Sequence, residues 1–276
     1  MRAACVLAGL LLGLIANGAA ASERIVVLAP HLAELVCAVG ACDELVGVVA
    51  YTDAPPAAAR LPQVGSAFAV NVEAVLALRP SLVLAWGSGT PAATVERLRG
   101  VGLRLEIVSI GDLDAIGAEL AVLGRRLGHA DAGRAAAGDY ARRLAALRER
   151  YRGRSRLRVF YQLESGPVYT INGSSPISAA LSLCGGDNVF AALPTISAVV
   201  SDEVVLAADP DAVVVADDED ARGIDAYWRR LAPARAADPA RRVLVDADAL
   251  TRQSPRVLDG IAQLCAGLDR LRRDAR

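Results

Sequence analysis

The side chains that most often carry catalysis are sparse in this sequence. Its only histidines are His31 and His129. No serine lies in a G-x-S-x-G turn and no H-E-x-x-H stretch occurs, so neither a Ser/His/Asp hydrolase nor a zinc peptidase is indicated. The stretch WGSGTP, residues 86–91, lacks the lysine of a phosphate-binding loop and is explained by a turn after a strand. We therefore expect a protein that is not an enzyme, with a secreted hydrolase as the remote alternative.

A metal site is also poorly supported. Zinc and related ions prefer Cys and His ligands, often in C-x-x-C pairs, and that spacing does not occur here. A zinc or manganese carrier would need several histidines in one place, and the sequence has two. We therefore expect no bound metal.

The first 21 residues are typical of a cleaved signal peptide. Arg2 precedes an apolar run that ends near Ile15, and small residues follow. Ala19 and Ala21 fit the positions three and one before a signal-peptidase cut, so Ser22 would begin the mature chain. The run is shorter than the ~20 residues that cross a bilayer, and an uncleaved anchor is the alternative. We expect export to the periplasm.

Export changes how the remaining cysteines are interpreted. After the signal peptide the chain has four of them, an even number: Cys37, Cys42, Cys184 and Cys265. An oxidising compartment favours disulfides, and four cysteines allow three pairings. Local proximity favours Cys37 with Cys42, near the end of one predicted helix, which leaves Cys184 with Cys265. Four reduced, buried thiols are the alternative if the chain is not exported.

Length and composition indicate a globular chain of two lobes. The sequence has 276 residues, more than the roughly 100–150 of a usual single domain. Hydrophobic residues make up 54% and the net charge is −1 at pH 7. This composition argues against disorder and gives no indication of nucleic-acid binding.

Short apolar runs alternate with helical stretches on both sides of a helical middle. In the first part, strands are predicted in RIVVLAP, ELVGVVAY, SLVLAW and LRLEIVSI. No strand is indicated over residues 115–151, where Tyr140, Leu144 and Tyr151 recur at helical spacing. The alternation resumes with LRVFYQL, DAVVVAD and RRVLVDA, and a final helix follows from Pro255. This order predicts two Rossmann-like α/β lobes joined by one long helix.

One phrase occurs twice in the chain. NVEAVLALRPSLVLAW, residues 71–86, matches SDEVVLAADPDAVVVA, residues 201–216, without a gap. Each copy predicts a helix, a proline and a strand, so we expect each lobe to contain the same unit. A ligand cleft is expected between the lobes, where strand ends and their loops converge. The predicted division is a signal peptide at 1–21, a lobe at 22–128, a linker helix at 129–155 and a second lobe at 156–276.

These features together resemble the periplasmic substrate-binding proteins of ABC importers, in the class that carries vitamin B12, haem and ferric siderophores. The blocks YTDAPP, VNVEAVLALRPSLVLAWGSG, LCGGDNVF and TRQSPR are similar to blocks of the vitamin B12-binding family in order and spacing. The resemblance implies a monomer, without a catalytic cofactor, that delivers cobalamin or its precursor cobinamide to a permease dimer in the inner membrane. A haem or ferric-siderophore carrier is the alternative within the class.

The resemblance also implies which side chains line the cleft. Tyr51, Trp86 and Tyr169 match aromatic positions that hold the corrin ring, and Asp248 and Arg252 match a polar pair at the cleft floor or rim. A corrinoid is apolar over its flat faces and carries amides at its rim, so aromatic faces and a few charged groups suit it. Core packing is the alternative for each aromatic residue, and a surface ion pair is the alternative for Asp248 with Arg252.

Two family tryptophan positions are different here, being Ala67 and Ser197. Phe68, next to the first, is expected to compensate for it. The cleft is therefore expected to be less aromatic than in the family.

The repeated glutamates, Glu73 and Glu203, have two interpretations. Each stands two residues after a predicted capping residue, Asn71 or Ser201, where a carboxylate interacts favourably with the helix dipole. The resemblance implies instead that they stand at the tips of the two lobes and pair with arginines of the permease dimer. One glutamate per lobe suits a two-fold symmetric partner, so we expect docking. Capping is compatible with it, because a first-turn side chain is exposed.

Overall fold

The computed structural model describes residues 22–216 and 221–274. The predicted signal peptide, residues 1–21, lies outside this range. No helix within the described ranges combines the length and apolarity needed to cross a membrane.

The first sheet is parallel and belongs to the first half of the chain. Its strands are β1 (Ile25–Val27), β2 (Leu45–Gly47), β3 (Leu82–Trp86) and β4 (Leu105–Val108), in the order β2-β1-β3-β4. The helices that accompany it are α1 (Pro30–Ala38), α2 (Val72–Ala77) and α3 (Ala92–Gly100). Apolar residues fill both faces of these strands, as expected for a parallel sheet buried between layers.

Two helices follow and form a tight hairpin, α4 (Leu113–Arg126) and α5 (Ala130–Tyr151). The helices approach closely at two glycines, since a Cβ added to Gly124 would lie 2.6 Å from the Cα of Gly133. Tyr140 on α5 is buried and donates a 2.7 Å hydrogen bond to the carbonyl of Leu113. The helix predicted over residues 129–155 is thus present as α5, and the lobe boundaries themselves stay a prediction.

The described part of the second half contains seven strands: β5 (Leu157–Gln162), β6 (Glu164–Ser165), β7 (Val168–Ile171), β8 (Gly186–Asn188), β9 (Ser197–Val199), β10 (Ala212–Ala216) and β11 (Arg242–Val245). Four of them form a parallel sheet in the order β11-β10-β5-β8, and the other three form an antiparallel sheet in the order β6-β7-β9. The helices are α6 (Pro176–Leu183), α7 (Asp202–Ala208), α8 (Ala221–Arg230), α9 (Ala247–Thr251) and α10 (Val257–Asp274).

The two parallel sheets have the same topology. In each, the strand that comes first in the chain lies inside, the second pairs with it at one edge, and the third and fourth extend the other side. This confirms the prediction of two α/β lobes with parallel sheets. One of the buried hydrophobic clusters joins the lobes, because it contains Ile25 of β1, Val159 of β5, Tyr140 of α5 and Leu264 of α10.

One predicted strand is shorter in the structure, and one sheet was not predicted. The run ELVGVVAY forms a strand only as far as Gly47, so Tyr51 lies in a turn beyond β2. The antiparallel sheet was not predicted, since Gly166 and Pro167 interrupt its first hairpin and remove the alternation that indicates a strand.

Candidate ligand-binding site

Two aromatic rings are exposed on neighbouring loops of the first lobe. Tyr51 is 82% exposed and Phe68 is 71% exposed. The backbone N–H of Ala50 donates a 2.7 Å hydrogen bond to the carbonyl of Gly65, which ties the two loops together. Core packing is therefore excluded for both rings, which remain free to contact a ligand.

Trp86 ends β3 and is half-buried. Its ring lies over Gly89, where an added Cβ would be 1.8 Å from the ring, so only glycine leaves room for the indole. The backbone N–H of Trp86 donates to the Thr90 hydroxyl at 3.0 Å. Within the described ranges the buried indole Nε1 has no hydrogen-bond partner. The turn after the strand thus fixes this ring and leaves its donor unused.

His31 packs edge-on against Trp86, with ring centroids 5.2 Å apart. It lies in the first turn of α1 and is buried. Burial, followed by the positive charge of Arg252, lowers the pKa of His31 to about 4. The imidazole is therefore neutral at pH 7, and its Nε2 has no partner in the part of the chain that the structure describes.

Arg252 is the centre of a buried ion-pair cluster. Its side chain is 8% exposed. Nη1 lies 3.0 Å from Glu34 and also pairs with Asp53, while Nη2 lies 2.7 Å from Asp248. Nη2 also donates a 3.0 Å hydrogen bond to the carbonyl of Tyr51. Asp248 thus pairs with Arg252; the arginine is buried, whereas the side chain of Asp248 is 50% exposed.

In this cluster, neighbouring groups of opposite charge outweigh the effect of burial and keep one another ionised. Burial opposes ionisation of Asp53, but the hydrogen bond and charge of Arg252 outweigh it, so the pKa of Asp53 is lowered. Burial likewise opposes the charge of Arg252, and the carboxylates outweigh it, so the pKa of Arg252 is raised. Arg256 adds a second cation, 3.6 Å from Glu34 and 3.7 Å from Asp53. Glu34 also accepts a hydrogen bond from Ser254.

The cluster spans the two lobes. Glu34 and Asp53 come from the first lobe, whereas Arg252 and Arg256 come from the segment between α9 and α10. His31 packs against Trp86 and is influenced by the positive charge of Arg252, and Arg252 donates a hydrogen bond to the Tyr51 loop. No hydrogen bond, ion pair or ring contact of the described residues links Phe68 or Tyr169 to this group.

The antiparallel sheet of the second lobe exposes apolar side chains near Ser197. Tyr169 is half-buried on β7 and is paired with Val199 of β9, so the two side chains share a face of the antiparallel sheet. Val199 is 54% exposed and Ile196 is 62% exposed. Ser197, at one of the family tryptophan positions, is also exposed.

The repeated phrase is a repeat of structure as well as of sequence. After α2 and after α7, a residue other than glycine takes a left-handed conformation, Arg79 with φ 47° and Asp209 with φ 37°. The C-terminal end of each helix also accepts a hydrogen bond from an arginine that lies near the start of the first strand of the same lobe. Arg24 donates to the carbonyl at residue 78 at 2.7 Å, and Arg158 donates to that at residue 208 at 2.6 Å.

The two glutamates are exposed in the first turns of these helices. One turn further on, Leu76 and Leu206 are 39% and 42% exposed. Each lobe therefore presents a carboxylate beside an apolar side chain on the same short helix.

The caps of the two helices are not alike. Asn71 caps α2 as predicted, accepting a 3.0 Å hydrogen bond from the N–H of Ala74. Ser201 occupies the N-cap position of α7 as predicted, but its side chain makes no cap hydrogen bond. A hydrogen bond to Ser201 lowers the pKa of Glu203 instead.

Both disulfides that local proximity favours are formed. Cys37 pairs with Cys42 across a Cα–Cα distance of 4.0 Å, and Cys184 pairs with Cys265 across 4.7 Å. The second bond ties the end of α6 to α10, and both of its cysteines are fully buried.

Sequence reasoning missed several residues of the site. Glu34 carried a signal, since it is an acidic residue on the apolar side of a short buried helix. Asp53 and Arg256 lie in the blocks YTDAPP and TRQSPR, but no local pattern indicates a role for either. Nothing local in the sequence places His31 against Trp86.

Comparison with known proteins identifies similar chains of nearly equal length. A profile of the family described as periplasmic binding protein matches residues 25–227. The vitamin B12-binding protein of Vibrio cholerae serotype O1 is 35% identical over 248 residues, 90% of this chain and 89% of that one. That of Pectobacterium carotovorum is 33% identical over 274 residues, 98% and 96% of the two chains. The structure of the V. cholerae periplasmic vitamin B12 binding protein gives a TM-score of 0.82 at 34% identity, and the match covers 91% of this chain and 98% of that one. A periplasmic heme-binding protein from Roseiflexus sp. RS-1 gives 0.82 at 26% identity, covering 91% and 99%.

Proposed function

The chain belongs to the periplasmic binding protein family, and on that premise we propose that it binds a corrinoid, vitamin B12 or a precursor, and delivers it to an ABC importer. The observation that carries the proposal is similarity over nearly the whole chain to proteins named for vitamin B12 binding. We propose a monomeric carrier without catalysis, whose ligand lies in the cleft between its lobes.

The chemistry of the site supports a large, flat ligand. Tyr51 and Phe68 offer exposed rings on adjoining loops, and Trp86 lies at a strand end in the same lobe. Val199 and Ile196 offer apolar contact from the second lobe. Rings and branched aliphatic side chains cover the faces of such a ligand at a low cost in conformational entropy.

A haem carrier is the second candidate, and one observation favours it. The Tyr51 ring is 82% exposed, so its phenol is accessible as an axial ligand to haem iron. A heme-binding protein is also among the structures of the same fold. Its identity of 26% is lower than the 35% of the vitamin B12-binding relative, which is why we place the corrinoid first.

Absorbance spectroscopy separates these candidates. The purified mature protein is incubated in turn with cyanocobalamin, haemin and a ferric siderophore, and unbound ligand is removed by gel filtration. We expect the corrinoid spectrum to co-elute with the protein. Co-elution of haem alone would replace the proposed ligand with the second candidate, and co-elution of none would contradict both.

We further propose that Glu73 and Glu203 dock the protein onto its permease. The support is the duplicated unit, which presents a glutamate and an exposed leucine once in each lobe. The ligand has no two-fold symmetry, so ligand binding does not require this arrangement. Docking onto a dimer of identical subunits does require it, because each subunit offers the same site once. Arginines on such a dimer would form charge-assisted hydrogen bonds with the two carboxylates.

The docking proposal predicts that transport and ligand binding can be separated. The double variant Glu73→Ala with Glu203→Ala should retain its affinity for cyanocobalamin and lose uptake into vesicles by an amount on the order of tenfold. The matched control is Glu96→Ala with Glu149→Ala, which removes two exposed carboxylates elsewhere and should leave uptake unchanged. Normal uptake in the double variant would contradict docking and would mean that the two glutamates act only through their interaction with the helix dipoles.

A further inference from the structure

One guanidinium holds the backbone of a loop in the opposite lobe. Arg252 donates from Nη2 to the carbonyl of Tyr51 at 3.0 Å, and its Nη1 pairs with Asp53 two residues further along. The donor and the loop are 201 positions apart in the sequence. The segment that carries Tyr51 is therefore fixed at two successive points by a residue of the other lobe.

Tyr51 needs such support because its backbone is unusual. Its φ is 65°, in the left-handed region that residues other than glycine rarely adopt. Its ring is 82% exposed, so little side-chain packing holds the conformation. Next to it, Thr52 is buried and its hydroxyl donates to the carbonyl of Val49 at 2.8 Å. The direction of the Tyr51 ring thus depends on hydrogen bonds of the loop, and Arg252 contributes one from the other lobe.

The same geometry leaves Arg252 little capacity to contact a ligand. Its two terminal nitrogens are occupied by Glu34, Asp53, Asp248 and the Tyr51 carbonyl, and the side chain is 8% exposed. A guanidinium with these four acceptors would have to break existing pairs in order to reach a new one.

We propose that Arg252 is a positioning residue, which acts on the bound ligand by holding the Tyr51 ring in the direction that meets it. This assignment replaces direct contact between Arg252 and the ligand, and it rests on the proposed function of the cleft. It also makes the geometry of the Tyr51 face depend on how the two lobes pack, because the donor and the loop belong to different lobes.

A double-mutant cycle with cyanocobalamin as the probe tests the proposal. Arg252→Lys keeps the charge that the buried Glu34 needs but cannot reach four acceptors. We expect it to weaken binding about tenfold in the wild-type background and by less than about twofold in the Tyr51→Ala background, because the ring it positions is gone. Equal losses in both backgrounds, or no loss in either, would overturn the assignment. The matched control is Arg272→Lys, a buried arginine of α10 that donates to the carbonyls of Ser155, Cys184 and Gly185 and has no contact with the cluster, so this variant should bind normally.

A second measurement needs no ligand and so stays informative if the proposed function fails. Fluorotyrosine is incorporated into the mature protein, and the Tyr51 signal in the fluorine NMR spectrum is assigned with Tyr51→Phe. We expect this signal to move and broaden in Arg252→Lys and to stay unchanged in Arg272→Lys. An unchanged signal in Arg252→Lys would show that the arginine does not set the ring. If Arg252→Lys does not fold, Asp53→Asn loosens the same loop and should give the same two results.

Discussion

Acidification should destabilise this protein through one buried histidine. The pKa of His31 is lowered from 6.5 to about 4, mainly because the ring is buried and also because Arg252 is positively charged. Above about pH 6.5, neither the folded nor the unfolded chain binds a proton at this site, and the free energy of unfolding is unaffected. As the pH falls below that value, the unfolded chain takes up a proton that the folded protein excludes, so stability is lost.

The expected size of this loss follows from the shift in pKa. Each unit of difference corresponds to about 1.4 kcal/mol, so at about pH 5 the histidine should cost about 2 kcal/mol. The full loss is about 3 kcal/mol and is reached near pH 4, where the folded protein also binds the proton. Protonation of Asp53 adds a separate loss of stability at lower pH, because its pKa is lowered in the folded protein and its ion pair with Arg252 disappears on protonation.

Urea unfolding of the wild type and of His31→Gln measures this contribution directly. The free energy of unfolding is compared between about pH 7 and about pH 5 for each protein. We expect the wild type to lose about 2 kcal/mol more than the variant over this interval, because the carboxylates contribute equally to both. An equal pH dependence in the two proteins would show that His31 is not held neutral, and would remove the neutral imidazole from the site described above.

Two further predictions concern the cleft and the disulfides. Trp86→Ala should weaken cyanocobalamin binding by about 1–3 kcal/mol in titration calorimetry, because the exposed part of the indole offers a large area of contact to the ligand. An unchanged affinity would show that the indole packs only against the protein core. Replacing Cys184 and Cys265 by alanine should lower the free energy of unfolding by about 4 kcal/mol, and replacing Cys37 and Cys42 by about 2 kcal/mol, since the bonds close loops of 81 and 5 residues. Peptide mapping of the unreduced protein checks the pairing first, and free thiols at all four positions would contradict it.

The layers of the fold could be predicted from the sequence because they depend on local patterns. Apolar runs such as residues 82–86 and 212–216 are buried strands, and the spacing of Tyr140, Leu144 and Tyr151 gives the buried side of α5. The gap-free repeat predicted that each lobe contains the same unit, and the two sheets share one topology.

The candidate site was less accessible to sequence reasoning because it depends on contacts between distant segments. Nothing near Arg252 in the sequence indicates that it is buried against Glu34, since the two are 218 positions apart. The conformation of Tyr51 was also hidden, because the apolar run before it continues past the end of the strand. Ser201 resembles a capping residue in sequence, yet its hydroxyl bonds to the glutamate of the same turn.

Corrinoid binding is the central claim, and titration calorimetry of the mature protein with cyanocobalamin tests it most directly. We predict heat from a single class of sites, one ligand for each chain, and a large fall in affinity when Tyr51 and Trp86 are both replaced by alanine. No heat at high protein concentration, together with one-to-one binding of haem in the same cell, would contradict it.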